Sequence, residues 1–197
     1  MILDLLRNTP STAISKFRNE KYCAKGLFSI VIPAHNEEAA IEKVLNATIK
    51  TREFLLSKKY FDAIEIIVIN DGSRDKTLEI LQAIPEIQII NHTQKIGYGA
   101  SLQEGFRISH GEILAFLDAD GTYDPRELPQ LVEILKEQNA DMVIGSRMSQ
   151  ESQMPHLRKI GNFIFTQVLH IAGGGHITDV TSGMRVIRRN VLEILAP

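Results

Sequence analysis

The sequence predicts an α/β domain built on a largely parallel sheet flanked by helices, and three observations carry that prediction. Short runs rich in Val, Ile and Phe alternate with longer segments whose apolar residues recur at helical spacing. The short runs are near-continuously apolar, as expected of strands covered on both faces. Polar and acidic residues gather just after these runs end, which is where a doubly wound sheet collects its ligands.

Taken in order, residues 1–26 lack a strand signal and read as a helical or irregular arm. "FSIVIP" (28–33) is the first strand, followed by a helical segment over 38–56 with Ile41, Leu45, Ile49 and, less regularly, Leu55 about a turn apart. "IEIIVIN" (64–70) is the second strand, and the "NDGS" after it can turn and enter a helix near Asp75, with Asp71 or Ser73 as cap. "IQIIN" (87–91) is the third strand. "GYGASLQEG" (97–105) then starts a helix whose glycines allow close packing; its spacing fits neither the dinucleotide fingerprint nor the P-loop. "ILAFLD" (113–118) is the fourth strand, and Pro125 opens a helix carrying Leu128, Leu131, Val132 and Leu135. "DMVIGS" (141–146) is the fifth strand, and the polar "QESQMPHLRK" (150–159) reads as a mobile loop. A glycine-rich break (171–178) precedes a last strand-like piece, "DVTSGMRVI", and "NVLEIL" opens a further helix before the chain stops at Pro197. The strand-to-strand crossovers are expected to be right-handed.

Composition narrows the function classes. A chain of 197 residues suits one domain, and 44% hydrophobic with 23% charged residues is ordinary for a soluble globular protein. A formal net charge of −2 excludes a general nucleic-acid binder, which needs a basic excess against phosphates. Cys23 is the single cysteine, so no internal disulfide can form and a reducing compartment fits. No apolar run approaches the roughly 20 residues that span a bilayer, and the first residues lack a secretory pattern.

Chemistry concentrates at four strand exits. These are Pro33-Ala34-His35-Asn36-Glu37, Asn70-Asp71-Gly72-Ser73, Asp118-Ala119-Asp120-Gly121 and Ser146-Arg147. Each has a plain reading: "NDGS" as a helix cap, His35 as a loop histidine, and Asp118 and Asp120 as a strand-to-turn cap. Two carboxylates ending an apolar strand are nonetheless costly unless donors or a cation meet them. Paired on one short turn, they suit Mg²⁺ or Mn²⁺ bound together with substrate phosphates.

Six blocks occur in register: "IVIPAHNEE", "IIVINDGSRDKT", "GYGASLQEGF", "FLDADGTYDP", "MVIGSR" and "DVTSGMRVIRR". With them the chain, from about Phe28 to about Leu195, resembles the family 2 glycosyltransferases. Within that family it looks most like the dolichyl-phosphate mannosyltransferase and polyprenyl-phosphate glycosyltransferase group. The resemblance implies a single GT-A domain (27–197, after the arm), a nucleotide-sugar donor of GDP-mannose or UDP-glucose type, and inverting transfer assisted by a divalent metal. Carried over by position, Pro33, Ala34, His35 and Glu37 line the nucleotide pocket, and Asn70 and Asp71 contact the base or ribose. Asp118, Ala119 and Asp120 form the DxD-type motif, with Asp120 the direct metal ligand and Asp118 nearer the ribose and donor. Thr122 stands where relatives often carry Gln, and Asn70 where Asp is commoner. Arg147 and Arg158 match positions that cradle a lipid phosphate, helped by Asn162. Ser182 and Arg185 line the same acceptor side.

An acceptor phosphate is already ionised near pH 7 and can attack the sugar C1 without a strong base. Asp118, Asp120, Arg147 and Asp179 are the residues implied at the reacting centre. Asp179 is the candidate base if the acceptor is instead a sugar hydroxyl. Implied partners are the nucleotide sugar, a polyprenyl phosphate and the cytoplasmic face of a membrane, with no nucleic acid. Two rivals remain open: a sugar nucleotidyltransferase, which usually has a glycine-rich, Arg/Lys-containing loop unlike "PAHNEE", and a non-catalytic nucleotide-sugar-binding module. Relatives continue past this chain's end, many into transmembrane helices, so the sequence is expected to be C-terminally incomplete.

Overall fold

The computed structural model describes residues 24–145 and 182–195. Its elements are β1 (Ala24–Ala34), α1 (Ile41–Ser57), β2 (Ala63–Asn70), α2 (Thr77–Gln82), β3 (Gln88–Asn91), α3 (Tyr98–Ile108) and β4 (Gly111–Leu117). A 3₁₀ turn (Pro125–Glu127) then leads into α4 (Leu128–Glu137), β5 (Met142–Ile144), β6 (Met184–Arg188) and α5 (Arg189–Leu195). The arm before residue 24, the loop at 150–159 and the glycine-rich break fall outside the described residues, as do Arg147, Arg158, Asn162 and Asp179.

The strands form one six-stranded sheet in the order β3-β2-β1-β4-β6-β5. β1 pairs in parallel with both β2 and β4, and β2 with β3. β6 is antiparallel to both β4 and β5. The predicted α/β class and mostly parallel sheet are therefore present, with one insertion the apolar runs do not encode: β6 separates β5 from β4. β1 also starts four residues before the predicted run. Ala24 sits opposite Gly111, the register shifts between Ala24 and Phe28, and Gly26 N–H donates to Glu112 Oε1 at 2.9 Å.

Strand periodicity explains how the sheet is covered. Phe28, Ile30 and Ile32 of β1, with Ile66 and Val68 of β2, point to one face, where they meet α1 and α4. Val31, Ile67 and Ile69 point to the other, against Leu102, Phe106 and Ile108 of α3. Both faces are buried, which is why the runs are continuously apolar rather than alternating. Helix α1 contributes Ile41, Val44, Leu45 and Leu55, all at most 3% exposed, each stabilising by about 1.5–3 kcal/mol on burial.

The chain order creates a switch point beside β1. Connections run from β1 outward through β2 to β3, then return across β1 to β4. The crevice outside the carboxyl ends of β1 and β4 is where such a sheet binds ligands.

Candidate active site

Two loops leaving β1 and β2 are laced together beside that crevice. Asn36 holds a left-handed conformation (φ 57°). Its N–H donates to Ser73 Oγ at 3.0 Å, and its Oδ1 accepts from Arg74 N–H at 2.8 Å. Glu37 N–H donates to Thr77 Oγ1 at 2.8 Å and Glu38 N–H to Asp75 Oδ2 at 3.1 Å. The carboxylate at the α2 entry is that of Asp75, which accepts from Thr77 N–H and Oγ–H at 3.0 and 2.6 Å. That corrects the expectation of Asp71 or Ser73 as the cap, because both are engaged elsewhere. His35 is no free loop residue: its Nδ1–H donates to the Asp71 carbonyl at 2.7 Å. Pro33 and Ala34 are buried in the sheet, so they can meet a ligand through backbone rather than side chain.

Asp71 is only 3% exposed and is fully engaged. Its Oδ1 accepts from Ile96 N–H at 2.7 Å, its Oδ2 from Gly97 N–H at 2.9 Å, and His92 Nδ1 lies 3.2 Å from Oδ1. Burial opposes ionisation, but the Ile96 amide, His92 and the Gly97 amide outweigh it and hold the carboxyl below its usual range. The far ring nitrogen of His92 meets Glu104 Oε2 at 2.6 Å. Asp71 thus ties down the 92–97 loop, which also presses on Gly72. A β-carbon on Gly72 would lie 2.5 Å from Lys95 N, and its φ of +63° favours glycine. Next to it, Asn70 is 1% exposed. Its Nδ2 donates to Asn91 Oδ1 at 2.7 Å, while its buried Oδ1 has no partner among the described residues.

At the β4 exit, Asp118 borders a cavity of about 420 Å³ lined by Tyr98, Leu102, Phe116, Ser182, Gly183 and Arg185. Tyr98 O–H donates to Asp118 Oδ1 at 2.7 Å. Partial burial and the neighbouring carboxylate push the Tyr98 phenol well above its ordinary value, so it remains a donor. Asp118 N–H donates to the Gly183 carbonyl at 3.0 Å, and Gly183 N–H donates to the buried Tyr123 hydroxyl at 2.6 Å. These bonds seat Gly183, with Ser182 before it, directly beside the Asp118–Asp120 turn. In the same lining, the Arg185 guanidinium lies 5.6 Å from the Phe116 ring centroid, and its Nε–H donates to the Ser182 carbonyl. The Ser182 hydroxyl is buried and donates to the Gly145 carbonyl. Ala119 is buried at 3% exposure, whereas Asp120 and Thr122 are exposed. Asp120 Oδ1 accepts from Thr122 N–H at 2.8 Å, closing the turn.

Among the described residues, no three carboxylate, imidazole or thiol side chains gather closely enough to hold a metal by themselves. Asp118 and Asp120 offer a partial shell, the kind that Mg²⁺ or Mn²⁺ completes with phosphate oxygens. The charge distribution fits such a cation. Burial, and then the negative charges of Asp120, Asp75 and Asp118, hold the Glu37 carboxyl above its usual value.

The structure therefore brings Asn70, Asp71, Asp118, Asp120, Ser182 and Arg185 to one edge, with Glu37 alongside. It adds Tyr98, His92 and Glu104, which sequence reasoning missed. Tyr98 stood in view as an aromatic between two glycines at a helix start. His92 follows the third strand, whose exit was not read with the other four.

Comparison with known proteins identifies the family and the fold. The sequence profile described as Glycosyl transferase family 2 matches residues 29–195. The chain belongs to glycosyl transferase family 2. Among members of this family, a dolichyl-phosphate beta-glucosyltransferase (ALG5C) of Trichomonas vaginalis is 32% identical over 181 residues, covering 86% of this chain and 54% of that protein. A UDP-N-acetylglucosamine–dolichyl-phosphate N-acetylglucosaminyltransferase of Methanococcus voltae is 27% identical over 195 residues, covering 88% and 74% respectively. The chain thus spans little more than half the length of the first of these relatives. Among solved structures, the glucosyl-3-phosphoglycerate synthase of Mycobacterium tuberculosis, in complex with Mn²⁺, UDP and glucosyl-3-phosphoglycerate, superposes with a TM-score of 0.64. It is 23% identical, covering 94% of this chain and 64% of that one. That likeness establishes the GT-A type of fold.

Proposed function

We propose that this domain transfers a hexose from a nucleotide-sugar donor, of GDP-mannose or UDP-glucose type, to the phosphate of a polyprenyl or dolichyl lipid with inversion at C1. The observation that carries the reading is that Asp118, held by Tyr98, and Arg185 line one cavity. An acidic group for a metal-bound diphosphate and a cation for an acceptor phosphate then border the same space. The names of the two relatives, both acting on dolichyl phosphate, favour a lipid phosphate acceptor.

In this mechanism Asn70 and Asp71 lie beside the nucleotide, with Asp71 shaping the 96–98 turn. Asp120, with Asp118, would hold a divalent cation. Such a cation would neutralise the leaving diphosphate. Arg185, with Arg147 and Arg158, orients an acceptor phosphate oxygen in line with C1. The new C1–O bond forms as the bond to the diphosphate breaks, and the ionised phosphate needs no general base. Work at the cytoplasmic face of a membrane follows from a lipid acceptor. No helix among the described residues is long and apolar enough to cross a membrane, so contact through a surface or through segments outside this chain is the expectation.

The test is a mass-detected transfer assay with polyprenyl phosphate, a panel of GDP- and UDP-sugars, and Mn²⁺ or chelator. Lipid-linked sugar formed only with metal, and abolished in Asp120→Ala, is expected. Transfer solely to a sugar hydroxyl would replace the lipid acceptor, and nucleotide binding without any turnover would leave only a binding module.

A further inference from the structure

We propose that His92 is a positioning residue of the site, an imidazolium clamped between Asp71 and Glu104 that fixes the 96–98 turn and, through Tyr98, the Asp118 carboxylate. The geometry determines its charge. Nδ1 lies 3.2 Å from Asp71 Oδ1 and Nε2 lies 2.6 Å from Glu104 Oε2. An ionised carboxylate only accepts hydrogen bonds, and a neutral imidazole carries a single N–H. Both contacts are hydrogen bonds only when both ring nitrogens are protonated.

The clamp spans three elements. His92 follows β3, and its own N–H donates to the Asn70 carbonyl at 2.9 Å. Asp71 leaves β2, and Glu104 lies one α-helical stretch beyond Tyr98 on α3. Among the described residues, those two carboxylates are the titratable groups facing the ring. Arg107, on α3, sits 3.6 Å from the other oxygen of Glu104. The ring side chain is 12% exposed and Asp71 4%, so water screens the contact only weakly. When the ring loses a proton, the shorter Glu104 contact keeps the remaining N–H, and the Asp71 oxygen faces a lone pair. Asp71 still holds the Ile96 and Gly97 amides, but without its cation. The 96–98 turn loosens rather than detaches, and Tyr98 presents its hydroxyl to Asp118 less often. Burial disfavours the charged ring, but the bonds to Glu104 and Asp71 outweigh it and raise its titration above the ordinary 6.5.

A residue that merely filled space would not make donor binding follow its own titration. The kinetic and nucleotide-binding arms rest on the proposed function, and the spectroscopic arm does not. In histidine-labelled protein, the ring signal that disappears in His92→Gln should titrate above 6.5, and in Glu104→Gln it should move down toward that ordinary value. UDP and GDP affinity with Mn²⁺, measured by calorimetry from about pH 6 to 9, should weaken as that titration proceeds. In His92→Gln, affinity should be roughly tenfold weaker and flat across the same titration. Where transfer is detected, donor KM should follow the same curve while kcat changes less. A neutral ring below pH 6.5, or the same pH dependence of nucleotide affinity in wild type and His92→Gln, overturns the proposal. Intact His92 behaviour with no transfer to any acceptor would instead count against the proposed reaction alone and support the clamp.

Discussion

A β-carbon on Gly183 would lie 1.7 Å from Asp118 Oδ2 and 2.3 Å from its Cγ. What obstructs it is the end of the Asp118 side chain, so substitution displaces the carboxylate while sparing the sheet. Gly183→Ala is therefore expected to fold, with a melting temperature within a few degrees of wild type, and to lose sugar transfer by at least about tenfold. Unfolding of the variant, seen by circular dichroism, would show that the turn rather than the carboxylate bears the strain. Tyr98→Phe probes the same carboxylate from the other side. It keeps the ring, which is 49% exposed, and removes only the 2.7 Å bond to Asp118. A hydrogen bond to a charged group contributes roughly 1.5–3 kcal/mol, and half-exposure favours the low end. Donor affinity in Tyr98→Phe should fall about tenfold in calorimetry with UDP and Mn²⁺, with little change in melting temperature.

At the scale of elements, α3 sets where both Tyr98 and Glu104 stand, and Gly105 sets α3. A β-carbon there would meet Val31 Cγ1 at 2.3 Å, and Val31 is fully buried in the central strand. Gly105→Ala should cost about 1–3 kcal/mol through overpacking, lowering the melting temperature by roughly 2–10 °C. Adding Val31→Ala should recover part of that loss in a double-mutant cycle. This close packing was legible in the sequence, as were β1, β2 and β4, because strands buried on both faces cannot hide their apolar runs. The place of β6 was not legible. A three-residue β5 and a five-residue β6 carry composition but no pairing order, and pairing is what puts Ser182 and Gly183 beside "DAD". The acidic residues at the site were legible as residue types at strand ends. Their partners were not: Asp71 looks like a ligand contact or a cap until the amides of Ile96 and Gly97 are seen on it. Those amides are 25 and 26 residues away, beyond any local pattern.

For the whole molecule, a net charge of −2 at pH 7 is too small for general repulsion to govern stability. Individual groups then set the pH response. Asp71 and Asp75 are held below their ordinary value of 3.8, so their stabilisation is fully present above that value and is lost as pH falls through their folded values. His92 is held above 6.5. Its contribution is fully present below 6.5 and is lost as pH rises through its folded value. Glu37 is held above 4.5, so the energy that favours its protonated form is also lost as pH rises through its folded value. Stability should therefore peak on the mildly acidic side, above about 4 and below 6.5, and decline toward alkaline pH. Under the proposed mechanism Asp118 and Asp120 hold a divalent cation, and a cation bound only by the folded protein should oppose that decline. Thermal melts from about pH 4 to 9 should show Mn²⁺ raising the melting temperature near pH 8. In His92→Gln the alkaline decline should be shallower without metal, since a group held above 6.5 is gone. An equal decline in wild type and His92→Gln would show that His92 contributes no pH-dependent stability.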